Sequence, residues 1–272
     1  MKKRFLSLLA ALLVSLLPAA SLAQEGQTEL VVFAAASMTE TLTEIKALYE
    51  AAHPDVSIVY NFDSSGTLKT QITEGAACDL FISAGQKQMN QLDLAADPAV
   101  NTEGLDFVDP ETRIDLLENR VTLVVSPDNP KEITTFDQLA ALLKDGDVLL
   151  AMGNADVPVG QYTQKILAYY GLDEAALAEA GKLTYGSNVK EVTMQVREGS
   201  VDCGVIYCTD AFSAGLPTAD FATAEMCGQV IYPAAVLKTA AAPQAARDFL
   251  TYLTGEEAAA VFAAVGFSSP AK

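Results

Sequence analysis

The apolar residues of this chain fall into short continuous runs that alternate with stretches spaced three and four apart, the pattern of buried strands followed by amphipathic helices. Leu30-Val31-Val32-Phe33 is such a run and breaks into Ala34-Ala35-Ala36-Ser37; over 38–53, Leu42, Ile45, Leu48, Tyr49 and Ala52 then recur at helical spacing. A strand feeding a helix is predicted, with Ser37 at the junction and His53-Pro54 at the exposed helix end. A hydroxyl at a helix start either caps the unpaired N–H groups there or helps them hold an anion. A second strand is predicted over 56–62. The turn Asp63-Ser64-Ser65-Gly66-Thr67 opens a helix around Leu68 and Ile72, and a third strand covers 79–84.

From 86 to 110 the chain is polar and loop-rich, with a short helix over 86–94. A second alternation follows: strand 120–126, helix 136–143, strand 148–152, helices 159–170 and 174–180, strand 183–185, helix 189–198 and strand 204–207. An apolar run over 231–237 precedes helices over 243–254 and 256–264, too short for a further domain and expected to return to the first lobe. The fold class implied is α/β with two lobes, two crossings and a central cleft. The expected first lobe is 24–84 plus about 234–272, and the second about 85–233.

Ligands of such sheets sit beyond the carboxyl ends of the strands. Ser37 and Ser65 both fall there, as do Asn154-Ala155-Asp156-Val157-Pro158-Val159-Gly160 and Gly186-Ser187-Asn188-Val189 in the second lobe. Pro158 suits a first helical turn, where its missing N–H costs little. Any one of these turns alone is an ordinary helix start. Four of them could point N–H groups into one gap.

Composition narrows the picture. Lys2, Lys3 and Arg4 precede an apolar run from Phe5 to Leu17, and the small residues up to Ala23 supply a cleavage site, so residues 1–23 are expected to be a secretory signal peptide. The run is shorter than the roughly 20 residues of a spanning helix. No cysteine follows it, so a free periplasmic or secreted protein is expected. The chain carries 17 basic and 35 acidic residues, a net charge of −18, which disfavours nucleic acid and acidic membranes as partners but not a small anion held by neutral dipoles. The four cysteines are compatible with disulfides in an exported protein; Cys203, Cys208 and Cys227 lie close together, Cys78 is distant, and three connectivities are open. His53 is the single histidine, which argues against a zinc site. There is no Gly-x-Ser-x-Gly elbow, Gly-x-x-x-x-Gly-Lys loop or His-Glu-x-x-His pair, and no base stands near Ser37 or Ser65 in sequence, so an enzyme is not expected. Asp106, Asp109, Glu111 and Asp115 are expected to form a solvated acidic face, with 93–115 as an alternative contact surface.

Phe33-Ala34-Ala35-Ala36-Ser37, the 62–67 turn, Asp79-Leu80-Phe81-Ile82-Ser83-Ala84, Val157-Pro158-Val159-Gly160-Gln161-Tyr162, Gly204-Val205-Ile206-Tyr207 through Asp210-Ala211, Tyr232-Pro233 and the 255–267 segment occur in this order. This ordered set resembles the exported molybdate-binding proteins of molybdate ABC importers over nearly the whole chain beyond the leader. The resemblance implies a type II periplasmic binding protein fold, a monomer that needs no cofactor, molybdate or tungstate as ligand, and a membrane permease as partner. It also implies a ligand set: hydroxyl and N–H of Ser37 and Ser65, the N–H of Val159 and of Val189, and the hydroxyl of Tyr207, with no cation site. Val159 stands where many members have alanine, Gly66 where some have a third serine, and Val189 is matched by its place at a helix start. Cys208 has no counterpart in the pattern.

Molybdate at neutral pH has acceptor oxygens only, so hydroxyls and main-chain N–H groups suit it, whereas a phosphate site gains from a carboxylate that takes the phosphate proton. Sulfate shares its charge and shape but is smaller, so rigid donors would miss some of its oxygens. Another oxyanion or a small organic solute is the nearer alternative ligand.

Overall fold

The computed structural model describes residues 26–270; the expected leader at 1–23 lies outside them. Ten strands are described: β1 (Thr28–Ala35), β2 (Val56–Asp63), β3 (Leu80–Ile82), β4 (Ile114–Asn119), β5 (Val121–Val125), β6 (Leu150–Gly153), β7 (Leu183–Gly186), β8 (Cys203–Tyr207), β9 (Thr218–Phe221) and β10 (Val230–Val236). The helices are α1 (Thr39–Ala52), α2 (Ser65–Thr73), α3 (Gln86–Leu92), α4 (Phe136–Asp145), α5 (Pro158–Tyr169), α6 (Glu174–Glu179), α7 (Val189–Arg197), α8 (Cys208–Ala214), α9 (Ala224–Cys227), α10 (Pro243–Leu253) and α11 (Glu256–Val265).

They build two sheets, in the orders β2-β1-β3-β10-β4 and β7-β6-β8-β5-β9. Within each, the strands that alternate with helices pair in parallel, β1 with β2 and β3, and β6 with β7 and β8. The antiparallel member is the first strand after a crossing: β5 runs against β8 on arrival in the second sheet, and β10 against β3 on return to the first. Helix α1 shows how the pattern becomes packing. Leu42, Ile45 and Tyr49 are buried as their spacing predicts, each fully buried aliphatic side chain contributing about 1.5–3 kcal/mol. The helix stops at the exposed His53, whose ring stacks on Tyr49 at 4.3 Å.

Two expectations are corrected. The chain leaves the first sheet between Asn119 and Val121 rather than near residue 85; the strand that returns to it, β10, begins at Val230. The reason is charge. Asp115 and Glu118 interrupt the apolar pattern of β4 and hide it as a strand, while Lys238 and Arg247 hold Asp106 and Asp109, tying the acidic segment to the first lobe instead of leaving it merely solvated. Arg113 bonds Asp93 in the same segment. The cysteines also differ from a disulfide framework: Cys78, Cys203, Cys208 and Cys227 are all free and buried. They act as small core residues, and burial pushes the Cys78 thiol up to about 12.

Candidate functional site

The carboxyl ends of β1 and β2 meet those of β6 and β8 across the gap between the sheets, and each ends in a turn that starts a helix. β1 ends in alanines, and its last residue, Ala35, forms part of the cavity wall with Ala36. Ser37 follows within a 3-10 turn, Ala36–Met38, and does not cap α1: the cap position is Met38, with no side-chain bond. Its Oγ lies 2.9 Å from the Tyr232 hydroxyl, which also accepts from Asn119 Nδ2 at 3.2 Å. With that amide donating to the phenol, the phenol proton is available to Ser37 Oγ, and the serine proton is left for the cavity.

The paired serines divide the work at α2. Ser64 caps the helix, its Oγ accepting from Thr67 N–H at 3.1 Å. Ser65, fully buried, accepts from Ala84 N–H at 2.9 Å, which again leaves its own proton free to donate. In the second lobe α5 begins at Pro158, so the Val159 N–H lies among the helix-start donors that have no partner inside the helix. At α7, Asn188 caps by accepting from Glu191 N–H at 3.1 Å, and Val189 is the first helical residue. Tyr207 ends β8, 1% exposed, its hydroxyl 3.4 Å from the carbonyl of Ala84 on the opposite lobe. Burial holds its pKa well above the ordinary phenol value, so it is a neutral donor.

All five expected residues, Ser37, Ser65, Val159, Val189 and Tyr207, line one cavity of about 10 Å³, far below the roughly 300–1,000 Å³ of sites for drug-sized ligands. Among the described residues no lysine or arginine lines it. Its positive character comes from helix starts and hydroxyls, which suit an anion. One carboxylate, outside the five expected residues, does border it. Asp63 lies on the wall, its Oδ1 accepting from Ser64 N–H at 2.7 Å and, across the lobes, from Asn188 Nδ2 at 3.5 Å. Among the described residues no cluster of His, Cys, Asp and Glu is placed to hold a metal cation.

The lobes touch on both sides of this cavity. On one rim the α-carbon of Gly66 packs so closely on the main chain of Asp156 that a β-carbon would lie 2.2 Å from its carbonyl oxygen; on the other, Gly85 faces Pro158, with 3.3 Å for the same atom. Behind them Lys190 of α7 reaches Glu40 of α1 at 2.7 Å and Asp210 of α8 at 3.0 Å. Burial works against the Lys190 charge, but Asp210 and Glu40 outweigh it and its pKa is raised. Burial pushes the Asp210 carboxyl up to about 6, with Lys190 pulling the other way.

Asn119 and the hydroxyl role of Tyr232 were not legible beforehand. Tyr232-Pro233 stood out only as a matching pair, and nothing local links residues 37, 119 and 232. Cys208 lies beside the same network, its thiol 3.2 Å from Asn119 Oδ1.

The family model for bacterial extracellular solute-binding proteins matches residues 30–268. The chain belongs to that family. Solute-binding proteins of this kind are extracytoplasmic, serve importers by delivering a ligand to a membrane permease, and are not enzymes. This one is 31% identical over 274 residues to the molybdate-binding protein ModA of Escherichia coli, covering 98% of this chain and 99% of that one. To YvgL of Bacillus subtilis, named as a substrate-binding lipoprotein of an ABC transporter, it is 32% identical over 277 residues, 99% of this chain and 100% of that one. Among solved solute-binding proteins, the periplasmic molybdate-binding protein of Azotobacter vinelandii matches with a TM-score of 0.74 at 22% identity, over 89% of this chain and 100% of that one. The sulfate-binding protein SubI of Mycobacterium tuberculosis matches at 0.69 and 20%, over 89% and 86%. The last two likenesses establish the two-lobe, type II periplasmic binding protein fold and no more.

Proposed function

We propose that this solute-binding protein captures molybdate, and tungstate with it, in the cavity between its lobes and delivers it to the permease of an ABC importer, as a monomer without a cofactor and after export by a cleaved leader. The observation that carries this reading is the convergence of five uncharged donors from both lobes on one small cavity. Ser37 and Ser65 have internal partners arranged so that their protons can face inward. A proton-free tetrahedral dianion offers only acceptors to such a set. The ModA relatives, named for molybdate binding, agree with it. Titration calorimetry with molybdate, tungstate, sulfate and phosphate tests it: tight binding of the first two and weak binding of sulfate are expected. Heat from sulfate alone would overturn the assignment.

Within the protein the Tyr207 hydroxyl makes a long bond, 3.4 Å, to the Ala84 carbonyl. Tyr207→Phe is therefore expected to fold normally and lose one hydrogen bond to a charged group, about 1.5–3 kcal/mol or roughly a 10- to 150-fold weakening of molybdate affinity. An unchanged affinity would make Tyr207 a core aromatic only.

One observation favours a second reading. Asp63 on the cavity wall is a carboxylate able to take the proton of hydrogen phosphate. Asp63→Asn keeps the acceptor for Ser64 N–H and separates the two. Under the molybdate reading, affinity for molybdate stays level or rises by about a few-fold as a like charge is removed. If phosphate is the ligand, phosphate binding falls by about tenfold or more as a charge-assisted bond is lost.

A further inference from the structure

The two rims of the cavity differ in charge. At the Gly66 rim stand Asp63 and the exposed Asp156, carboxylates that oppose an approaching anion. The Gly85–Pro158 rim opens instead onto a groove of about 490 Å³ between the lobes. Among the described residues its only charged lining side chains are Lys87 of α3 and Lys165 of α5, one from each lobe, and four glutamines, Gln86, Gln161, Gln164 and Gln229, supply most of its remaining polar wall. Both lysines are exposed, and neither makes an ion pair among the described residues. Lys165 leans on neutral groups, 3.3 Å from the Cys227 carbonyl and 5.2 Å from the centre of the Tyr162 ring. Two carboxylates behind the lining, Asp115 and Glu174, accept from the amides of Gln86 and Gln164. The wall itself is therefore positive in a chain whose net charge is −18. Pro158 belongs to both groove and cavity, and the Tyr162 ring meets the Tyr207 ring edge-on at 6.4 Å, so a single layer separates the two spaces.

We propose that this groove is the collecting site through which a small oxyanion reaches the cavity, Lys87 and Lys165 drawing it to the Gly85–Pro158 rim against the repulsion of the rest of the surface. The proposal rests on the oxyanion reading above. Local positive charge in a cleft concentrates anions and speeds association without being part of the bound cage. The lysines are outside the cavity lining, so they act on the encounter and not on the closed complex.

The test is stopped-flow association of molybdate, followed by tyrosine fluorescence at low salt, for Lys87→Glu, Lys165→Glu and a control. Lys144→Glu on α4 makes the same change in net charge away from the groove. Each groove variant is expected to slow association about three- to tenfold, with dissociation unchanged, and the difference from wild type should shrink as salt screens it; the control should stay within about twofold of wild type. Equal slowing by all three variants would mean that only total charge matters and would overturn the proposal. Faster dissociation with unchanged association would overturn it too, as would normal association joined to loss of transport. Wild-type protein that binds no oxyanion would remove the ligand reading and this proposal together, an outcome distinct from the others.

Discussion

Gly66→Ala is expected to weaken molybdate binding by about 100-fold or more, because it denies the cavity the donors of one lobe, each worth roughly 1.5–3 kcal/mol to a charged ligand. The same variant should fold at least as well as wild type. Gly66 is the second residue of α2, and alanine is the better helix former of the two. The obstacle is confined to the closed arrangement: the new β-carbon would meet the Asp156 carbonyl oxygen at 2.2 Å, its β-carbon at 2.9 Å and its carbonyl carbon at 3.0 Å. Two of these are backbone atoms and cannot rotate away. Asp156 sits in the turn that starts α5, so moving it also moves the Val159 N–H. Closure brought about by ligand requires contacts from both lobes at once. A lobe held ajar leaves only Ser37 and Ser65 in reach. Calorimetry gives the affinity, and thermal unfolding with and without molybdate gives the second reading. The unliganded midpoint should hold or rise while the ligand-induced rise largely disappears. Wild-type affinity in this variant would mean that the Asp156 turn yields at little cost, and that Gly66 has no part in setting closure.

What the sequence made legible was whatever repeats locally. The buried face of α1 follows from the spacing of Leu42, Ile45 and Tyr49, and the four helix starts follow from strands that end in small or hydroxyl residues. That such starts share a cleft is a property of parallel sheets; which five residues to expect there, the Tyr207 hydroxyl among them, came from the resemblance to molybdate-binding proteins. Features decided by tertiary contact were not legible. Ser64 and Ser65 are adjacent and chemically alike; which one caps and which one faces inward depends on Ala84, nineteen positions on, bonding Ser65. Ser37 reads as a cap until Tyr232, 195 residues away, claims its hydroxyl. β4 was hidden by its own acidic residues, and Asp63 reached the cavity wall because Ser64 N–H and Asn188 anchor it. The tight fit of Gly66 on Asp156 leaves no trace in either segment alone.

Val189→Pro is expected to remove one donor from the cavity at almost no structural cost, weakening molybdate binding by roughly 10- to 150-fold if that N–H holds the ligand. The position suits proline for three reasons. Val189 is the first residue of α7, where a missing N–H breaks no helical bond and a fixed φ is already helical. The residue before it, Asn188, has φ −153° and ψ 171°, the extended conformation that a following proline requires. The Val189 carbonyl, which accepts from Thr193 Oγ1 at 2.8 Å, is retained. The contrast with Val159 is instructive: Pro158 precedes it inside the first turn of α5, so a proline there would force Pro158 out of the helical region and confuse donor loss with misfolding. Val189→Ala, which trims the side chain but keeps the N–H, is the companion variant. Weak binding by the proline variant with near-normal binding by the alanine variant assigns the contact to the main chain. Equal losses would place Val189 among the packing residues of the cavity wall, and the anion would then be held from the second lobe by Val159 and Tyr207 alone.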